Sequence, residues 1–572
     1  MLRSNIARRL VVMAVFVFCG DVMAGGGPRN VLVLYNDTVV EAYTTAEYYA
    51  DARAIPREQL CALSGIDAGQ LEISFDDYQS LILPRLNSCL QRLSEPGRIG
   101  YLVIVRGLPY RVQISGGFTT SLSAMLQVYE TTQISDGTPL AGQSQFKTES
   151  GVYSPTVENP LYQKHIGGFG IFELENSTAG FYTSSIRIAN ASSQPTSFHR
   201  GDVPDGNGYH FSGQLFIVTR LDGFDYQDAR ALVDRAIMAE EQVPDAPITC
   251  MASADEARGA RDPECHYVSS LLEGAGINSE FLLEHDAALS GKTMSAYLTG
   301  AANLHAAIDG NRYQPGAFVD NLTSFGAAPG NFICSNDGTQ CPLEENQTSI
   351  ARFVRAGATA VHGSVNEPLN VCFPNAGTLL LYTMGYNVAE SVFFNQRFLY
   401  WQNLLVGDPL TSPWADRPVI SLEVGEEHAL ARTVTVSAQH PNGVIHLALY
   451  VDGDLAAQSG GTPFEFEVKS PGTREILAIG TAKNVGVTRL GWPQPQQIPQ
   501  ADVQGWKRLF VQVGEIVVVD EPVDVAEQPP ADITSGGCNH GDTGPSSNSI
   551  LVVLLLLLGL ILSREANLRM RC

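Results

Sequence analysis

SIARFVRAGATAVHGSVNEP, residues 349–368, switches from one kind of local pattern to another within a single stretch. SIARFVRAG reads as a helix. Ala358–Val361 then reads as a short buried strand that runs into a His-Gly pair and the acidic Glu367 before a proline. Working outward, the same alternation recurs through residues 30 to about 412. VLVLYN, YLVIVRG, LFIVTRLDG and ITCMAS are apolar runs of strand length, and EAYTTAEYYADARA, FDDYQSLILPRLNSCLQRLS and DYQDARALVDRAIMAEE have apolar positions three and four apart. Strand and helix alternating this often predict an α/β fold, a mostly parallel sheet covered by helices on both faces. A Gly-, Ser- and Thr-rich insertion interrupts it at about 116–208.

In such sheets ligands bind beyond the carboxyl ends of the strands. The polar residues at those positions are Asn36, Arg106, Arg220 with Asp222, Ser324 near the end of FVDNLT, and His362 with Glu367. As a catalytic set, Ser324 and His362 form a nucleophile and base with Asp222 or Glu367 as the orienting carboxylate. A second arrangement pairs His362 with Cys372, since imidazole can generate the reactive thiolate. Asn36, Arg106, Arg220 and Glu367 are then binding residues. The structural alternative is that Arg220 and Asp222 form an ion pair or cap a helix.

The chain has 572 residues with 36 Lys and Arg against 60 Asp and Glu, a formal charge of -24. That acidity argues against nucleic acid as a partner. There is no Gly-rich phosphate loop, nucleotide fingerprint or clustered histidine, so no cofactor or metal is expected.

Both ends carry their own signals. Arg3, Arg8 and Arg9, the apolar run Leu10–Cys19 and Val22-Met23-Ala24 have the layout of an export signal over residues 1–24. The other end runs from SGGCNHGDTGPSSN through the apolar Ile550–Leu562 to Arg564, Arg569 and Arg571. That apolar run is shorter than the roughly 20 residues a stable spanning helix wants. Export predicts oxidised cysteines, and neighbours in sequence suggest Cys61 with Cys89, Cys250 with Cys265 and Cys334 with Cys341, leaving Cys372 over. A composition shift near Pro413 and Pro418 marks a boundary. From 418 to 518, alternating apolar residues and turns at PNG, DGD, SGG and SPGT predict an antiparallel β-sandwich. An acidic, Pro-rich linker follows at 519–537, and the tail occupies 538–572.

Several of these stretches together resemble known proteins. VLVLYN with AEYYADARAIP, VIVRGLPYRV, VTRLDG with ARALVDRA, PGAFVDNLTSFGA, ARFVRAGATAVHGSVNEP and LLVGDPL resemble blocks of an uncharacterised family of exported bacterial proteins. That family's main domain is similar to the gingipain and caspase-like peptidase fold. The resemblance brings no established activity. In gingipain-like peptidases one strand ends in His-Gly, the next in the nucleophilic Cys, and a later strand carries Gly-Ala-x-Ala before Gly-Ser. GATAVHGS matches the later strand; FVDNLTSFG has Ser324 but no cysteine, and ANLHAAIDG offers His305 and Asp309-Gly310 but no His-Gly pair. The comparison implies either a hydrolase lacking the usual Cys/His dyad or a catalytically inactive surface binding or adhesion module. YVDGDLAA is similar to a hairpin of bacterial immunoglobulin-like modules. The C-terminal tail resembles myxosortase-type sorting signals, with Cys538 as the signature cysteine. That implies an intramembrane tail-processing protease as partner, membrane contact through the tail, and an envelope or surface destination.

Overall fold

The computed structural model describes residues 26–95, 98–114, 118–128, 159, 162, 198–199, 210–211, 216–283, 289–304, 308–483 and 502–514. The export signal, most of the 116–208 insertion, His305, the acidic linker and the tail with Cys538 lie outside the described residues.

Ten strands form the main sheet: β1 (Val31–Asn36), β2 (Leu60–Leu63), β3 (Tyr101–Val105), β4 (Ile217–Leu221), β5 (Ile248–Met251), β6 (Ser279–Leu282), β7 (Thr293–Thr299), β8 (Arg312–Asn321), β9 (Ala360–Ser364) and β10 (Asn403–Gly407). Their order is β6-β5-β7-β8-β9-β10-β4-β3-β1-β2. Pairing is parallel within β6-β5-β7-β8-β9 and within β4-β3-β1-β2. Between them, β10 runs antiparallel to β9, with Ala360 opposite Gly407 and Ser364 opposite Asn403, and meets β4 at one pair, Val406 with Arg220. β3, β4, β5, β9 and β10 are buried along their whole length. Full burial is why these strands read as continuous apolar runs rather than alternating ones.

Helices cover the sheet, and local chemistry sets their ends. Val40–Arg53 stops where Ala54 takes a left-handed conformation, φ 57°. Tyr226–Glu241 starts at Asp225, whose carboxylate accepts from the amides of Gln227 and Asp228, the usual role of an acidic cap. Disulfides join Cys61 to Cys89, Cys250 to Cys265 and Cys334 to Cys341, and Cys372 is a buried free thiol.

Beyond β10 the chain forms two antiparallel sheets. One holds Val419–His428, Ala431–Gln439 and Phe464–Val468; the other holds Asp454–Ser459, Val444–Val451, Gly472–Lys483 and Asp502–Val513. Leu422, Val434 and Val436 from the first share a core with Leu447, Leu449, Ile476 and Val511 from the second. In the YVDGD hairpin Val451 pairs with Asp454, and Asp452 (φ 51°) and Gly453 (φ 89°) both take the positive φ that a two-residue turn of this hand requires.

The expected boundary at Pro413–Pro418 is not an exposed hinge. Trp414 is buried and packs edge-on to Tyr382 at 4.8 Å. Arg417 donates to the carbonyls of Leu410 (2.8 Å) and Gln504 (2.6 Å) and lies over the Trp506 ring. Among the described residues no helix is long and apolar enough to cross a membrane.

Candidate functional site

The carboxyl ends of the strands do collect most of the polar residues singled out above, but they fall into separate groups. Asn36, closing β1, is buried and fully engaged. Its Nδ2 donates to the carbonyls of Ile66 (3.1 Å) and Gly107 (3.0 Å), and its Oδ1 accepts from the Thr38 amide. Gly107 sits at φ 103°, and a Cβ there would stand 2.8 Å from the Tyr226 hydroxyl, so glycine is required.

The second group is ionic. Arg220 and Asp222 are both fully buried. Arg220 donates to the carbonyls of Pro109 (2.9 Å) and Leu108 (2.8 Å) and to Asp222 Oδ2 (3.0 Å). Arg106 donates to Asp222 Oδ1 (2.8 Å) and to the Gly223 carbonyl (2.6 Å). The Tyr110 ring lies 4.3 Å from the Arg220 guanidinium, and burial pushes the Tyr226 hydroxyl up to about 12. Burial alone would make Arg106 easier to deprotonate; the Asp222 charge and hydrogen bond, together with the Tyr110 and Tyr226 hydroxyls, outweigh this and raise it. One carboxylate therefore holds two guanidiniums, and every partner is internal.

The third group surrounds His362, which is completely buried in β9. In the register of β8 and β9, His362 lies beside Asp320, and its Nδ1 is 3.2 Å from Asp320 Oδ1. The other carboxylate oxygen accepts from Arg261 Nη1 at 2.5 Å. Arg261 in turn donates to the carbonyls of Pro374, Thr299 and Asp320. Burial pushes the Asp320 carboxyl up, but Arg261 and then His362 outweigh it and leave it below the ordinary carboxylate value. With the proton on Nδ1 the ring donates to Asp320, and Nε2 is left with no hydrogen-bond partner among the described residues. Phe373 meets the ring edge-on at 5.3 Å. Arg261 and Phe373 also line an open cavity of about 280 Å³ with Glu264, Arg397, Asn370 and Asn375. Burial pushes the Glu264 carboxyl up.

This geometry corrects the catalytic set read from sequence. Asp222 is not the carboxylate that orients His362, because both its oxygens are committed to Arg106 and Arg220. Glu367 is exposed and accepts from the Leu369 amide within its own turn. Ser324 is half-buried, and its hydroxyl makes no hydrogen bond among the described residues. Cys372 neighbours Phe373 in the chain, but burial pushes its thiol well above the ordinary range, against the opposing pull of Arg397.

The residues that hold His362 were missed. Asp320 and Arg261 had a readable signal: FVDNLT carries an acid inside an apolar strand, and a buried carboxylate demands a cation. Among the described residues no group of three or more His, Cys, Asp or Glu side chains is placed to hold a metal ion.

No protein-family model and no curated protein matches this chain. Among solved structures, the fibronectin(III)-like modules of Clostridium thermocellum CbhA align at 17% identity and a TM-score of 0.12, covering 21% of this chain and 56% of that one. Catalytically inactive OgpA from Akkermansia muciniphila, solved with an O-glycopeptide substrate, aligns at 8% identity and a TM-score of 0.15, covering 47% of this chain and 93% of that one. The chain thus spans little more than half the length of the first of these. Scores this low carry nothing about its fold or activity.

Proposed function

We propose that this chain is an exported, envelope-associated binding protein, built on a gingipain-like α/β domain without working peptidase chemistry. An immunoglobulin-like module and a myxosortase-type sorting tail complete it. The observation that carries this reading is the buried Arg261–Asp320–His362 chain. It uses the histidine as a member of an internal network, and neither Ser324 nor Cys372 hydrogen-bonds to the ring. The end of β8, where the resembling peptidases place their nucleophile, carries Asn321 instead. Its side chain donates to the Ala301 carbonyl and accepts from the Ala301 amide, both at 2.8 Å, which ties the loop after β7 to β8. A nucleophile needs a base within about 3 Å, and no such pair is formed at this rim among the described residues.

One feature favours hydrolysis as a second reading: the unpartnered Nε2 of a histidine already oriented by a carboxylate. Peptide and ester substrates offered to the purified protein separate the two. The binding reading expects turnover no faster in the wild type than in His362→Ala. Turnover lost in both His362→Ala and a folded Ser324→Ala replaces it with hydrolysis.

The placement at the envelope rests on the signal-like first 24 residues and the Gly-Gly-Cys538 tail. Mass spectrometry of the protein from its native envelope is expected to find a carboxyl terminus close to Cys538. Recovery of chains ending at Cys572 reduces the tail to a membrane anchor.

A further inference from the structure

The open cavity of about 280 Å³ beside the His362 rim changes character with depth. Leu322, Phe373 and Pro374 are buried and form its floor. Ala260, Asn370 and Arg397 are exposed and form its lip. Glu264, Tyr162 and Asn375 stand between, half-buried. Phe373 also meets the His362 ring edge-on at 5.3 Å, so the imidazole lies behind the wall rather than in the cavity.

The charges in the lining are unevenly matched. Arg261 is committed within the fold: Nη1 donates to Asp320 (2.5 Å) and to the Pro374 carbonyl (3.1 Å), and Nη2 to the carbonyls of Thr299 (3.0 Å) and Asp320 (3.2 Å). Glu264 has no comparable partner. It accepts from the Ala376 amide and enters no ion pair among the described residues, and the pull of that amide and of Arg261 does not offset the burial that pushes its carboxyl up. A carboxylate withdrawn from water without a counter-cation is costly, so Glu264 is the group that a ligand can compensate. One carboxylate supplies too few oxygens for a divalent metal ion, and an anion would be repelled by it. An organic cation gains both from the carboxylate and from the rings of Phe373 and Tyr162.

The level of Glu264 decides which cation. An ammonium paired with it has the apolar floor beneath, which suits an α-ammonium whose own side chain points inward. A lysine side chain entering from outside carries its charge at the tip, down onto Leu322 and Pro374, and leaves its methylenes beside the carboxylate.

We infer that this cavity binds the amino terminus of a peptide that begins with an apolar residue. Glu264 pairs with the α-ammonium, and the first side chain rests on Leu322, Phe373 and Pro374. This names a ligand class for the binding reading above and rests on it.

Calorimetric titration of the full chain with leucyl-glycinamide tests it at pH 7, below the ordinary α-amino value of about 7.7–8.0. N-acetyl-leucyl-glycinamide and Nα-acetyl-lysinamide are the comparison probes. Leucyl-glycinamide is expected to bind saturably, and about tenfold or more weaker to Glu264→Gln, which is the scale of losing one charge-assisted contact. Gln keeps an oxygen for the Ala376 amide, and a circular-dichroism melt matching the wild type shows that the variant is folded. The acetylated peptide, which has no ammonium, and the lysine probe are both expected to bind about tenfold or more weakly than leucyl-glycinamide. Absence of saturable leucyl-glycinamide binding overturns the inference. So does equal binding of the acetylated peptide, which needs no variant to fold, an unchanged affinity in Glu264→Gln, or a lysine probe that binds as tightly. Mass spectrometry of the titrated peptide separates this inference from the reading it rests on. A peptide bound through Glu264 but recovered cleaved upholds the site and replaces binding with hydrolysis, whereas an intact peptide that never saturates fails the site alone.

Discussion

At the scale of single residues, burial decides what Cys372 and Asp320 can do. The Cys372 thiol is excluded from water, and its acidity is suppressed chiefly by that exclusion. Since only the thiolate reacts, Cys372 is expected to resist iodoacetamide at pH 8 in the folded protein and to be labelled once the chain is denatured, as read by mass spectrometry of the peptide that contains it. Stoichiometric labelling of Cys372 itself in the native protein within minutes would show an accessible thiolate and restore it as a candidate nucleophile. Asp320 gives a pH dependence with a definite sign. Its folded-state pKa lies below the unfolded value of about 3.9, so its contribution is complete above that value and disappears as pH falls through the folded one. Asp320→Asn is therefore expected to flatten the acid limb of the stability curve below about pH 4. At pH 7 it leaves Arg261 buried without its counter-charge, a cost of about 3–5 kcal/mol. Urea titrations across pH measure both; parallel acid limbs for mutant and wild type would remove Asp320 from the account.

At the scale of elements, the Arg106–Asp222–Arg220 cluster joins the loops after β3 and β4. Removing its carboxylate leaves two guanidiniums facing each other with no counter-charge. Asp222→Ala is thus expected to lose about 3–5 kcal/mol, whereas the exposed Glu367→Ala stays within about 0.5 kcal/mol. Equal losses in chemical denaturation would mean the cluster is not the support described here. The same elements show what the sequence made legible. VLVLYN, YLVIV, IVTRL and ITCM are apolar and β-branched, and their burial on both faces makes them continuous runs, so they were read as strands. KTMSAYLTG hides β7 because small and polar residues serve a strand whose neighbours fill the space. LCAL and SEFL are four-residue strands too short to show a period. Residue types at strand ends located the rim, but not who pairs with whom. Asp222 and Asp320 are equally plausible partners for His362 by spelling alone, and only the register of β8 against β9 selects Asp320.

At the scale of the molecule, the antiparallel sheets after residue 418 are docked against the α/β domain at several points. Arg29 lies 4.0 Å over the Tyr450 ring and donates to the Gly453 carbonyl at 2.7 Å. Arg98 donates to the Tyr450 hydroxyl, and Arg508 to the Asp51 carbonyl, both at 2.7 Å. At the junction, Trp414 belongs to the main core and Trp506 packs on its edge. Arg417 links Leu410 at the end of one region to Gln504 in the other. Beneath it Asp408 accepts from Tyr49 (2.7 Å) and Arg53 (2.5 Å), so the chain leaving β10 is pinned to the helix after β1. A module held by this many partly buried, mixed polar and aromatic contacts unfolds with its support rather than independently, because separating it strands charged groups that are already out of water. Calorimetry of the full chain is therefore expected to give one cooperative transition for residues 26–514, and Arg417→Ala to lower it as a whole. Limited proteolysis is expected to spare 413–418, where the backbone is buried beside Trp414. Two resolved transitions, of which Arg417→Ala shifts neither, or early cleavage at Trp414, would show instead that the C-terminal sheets are an autonomous domain on a flexible hinge.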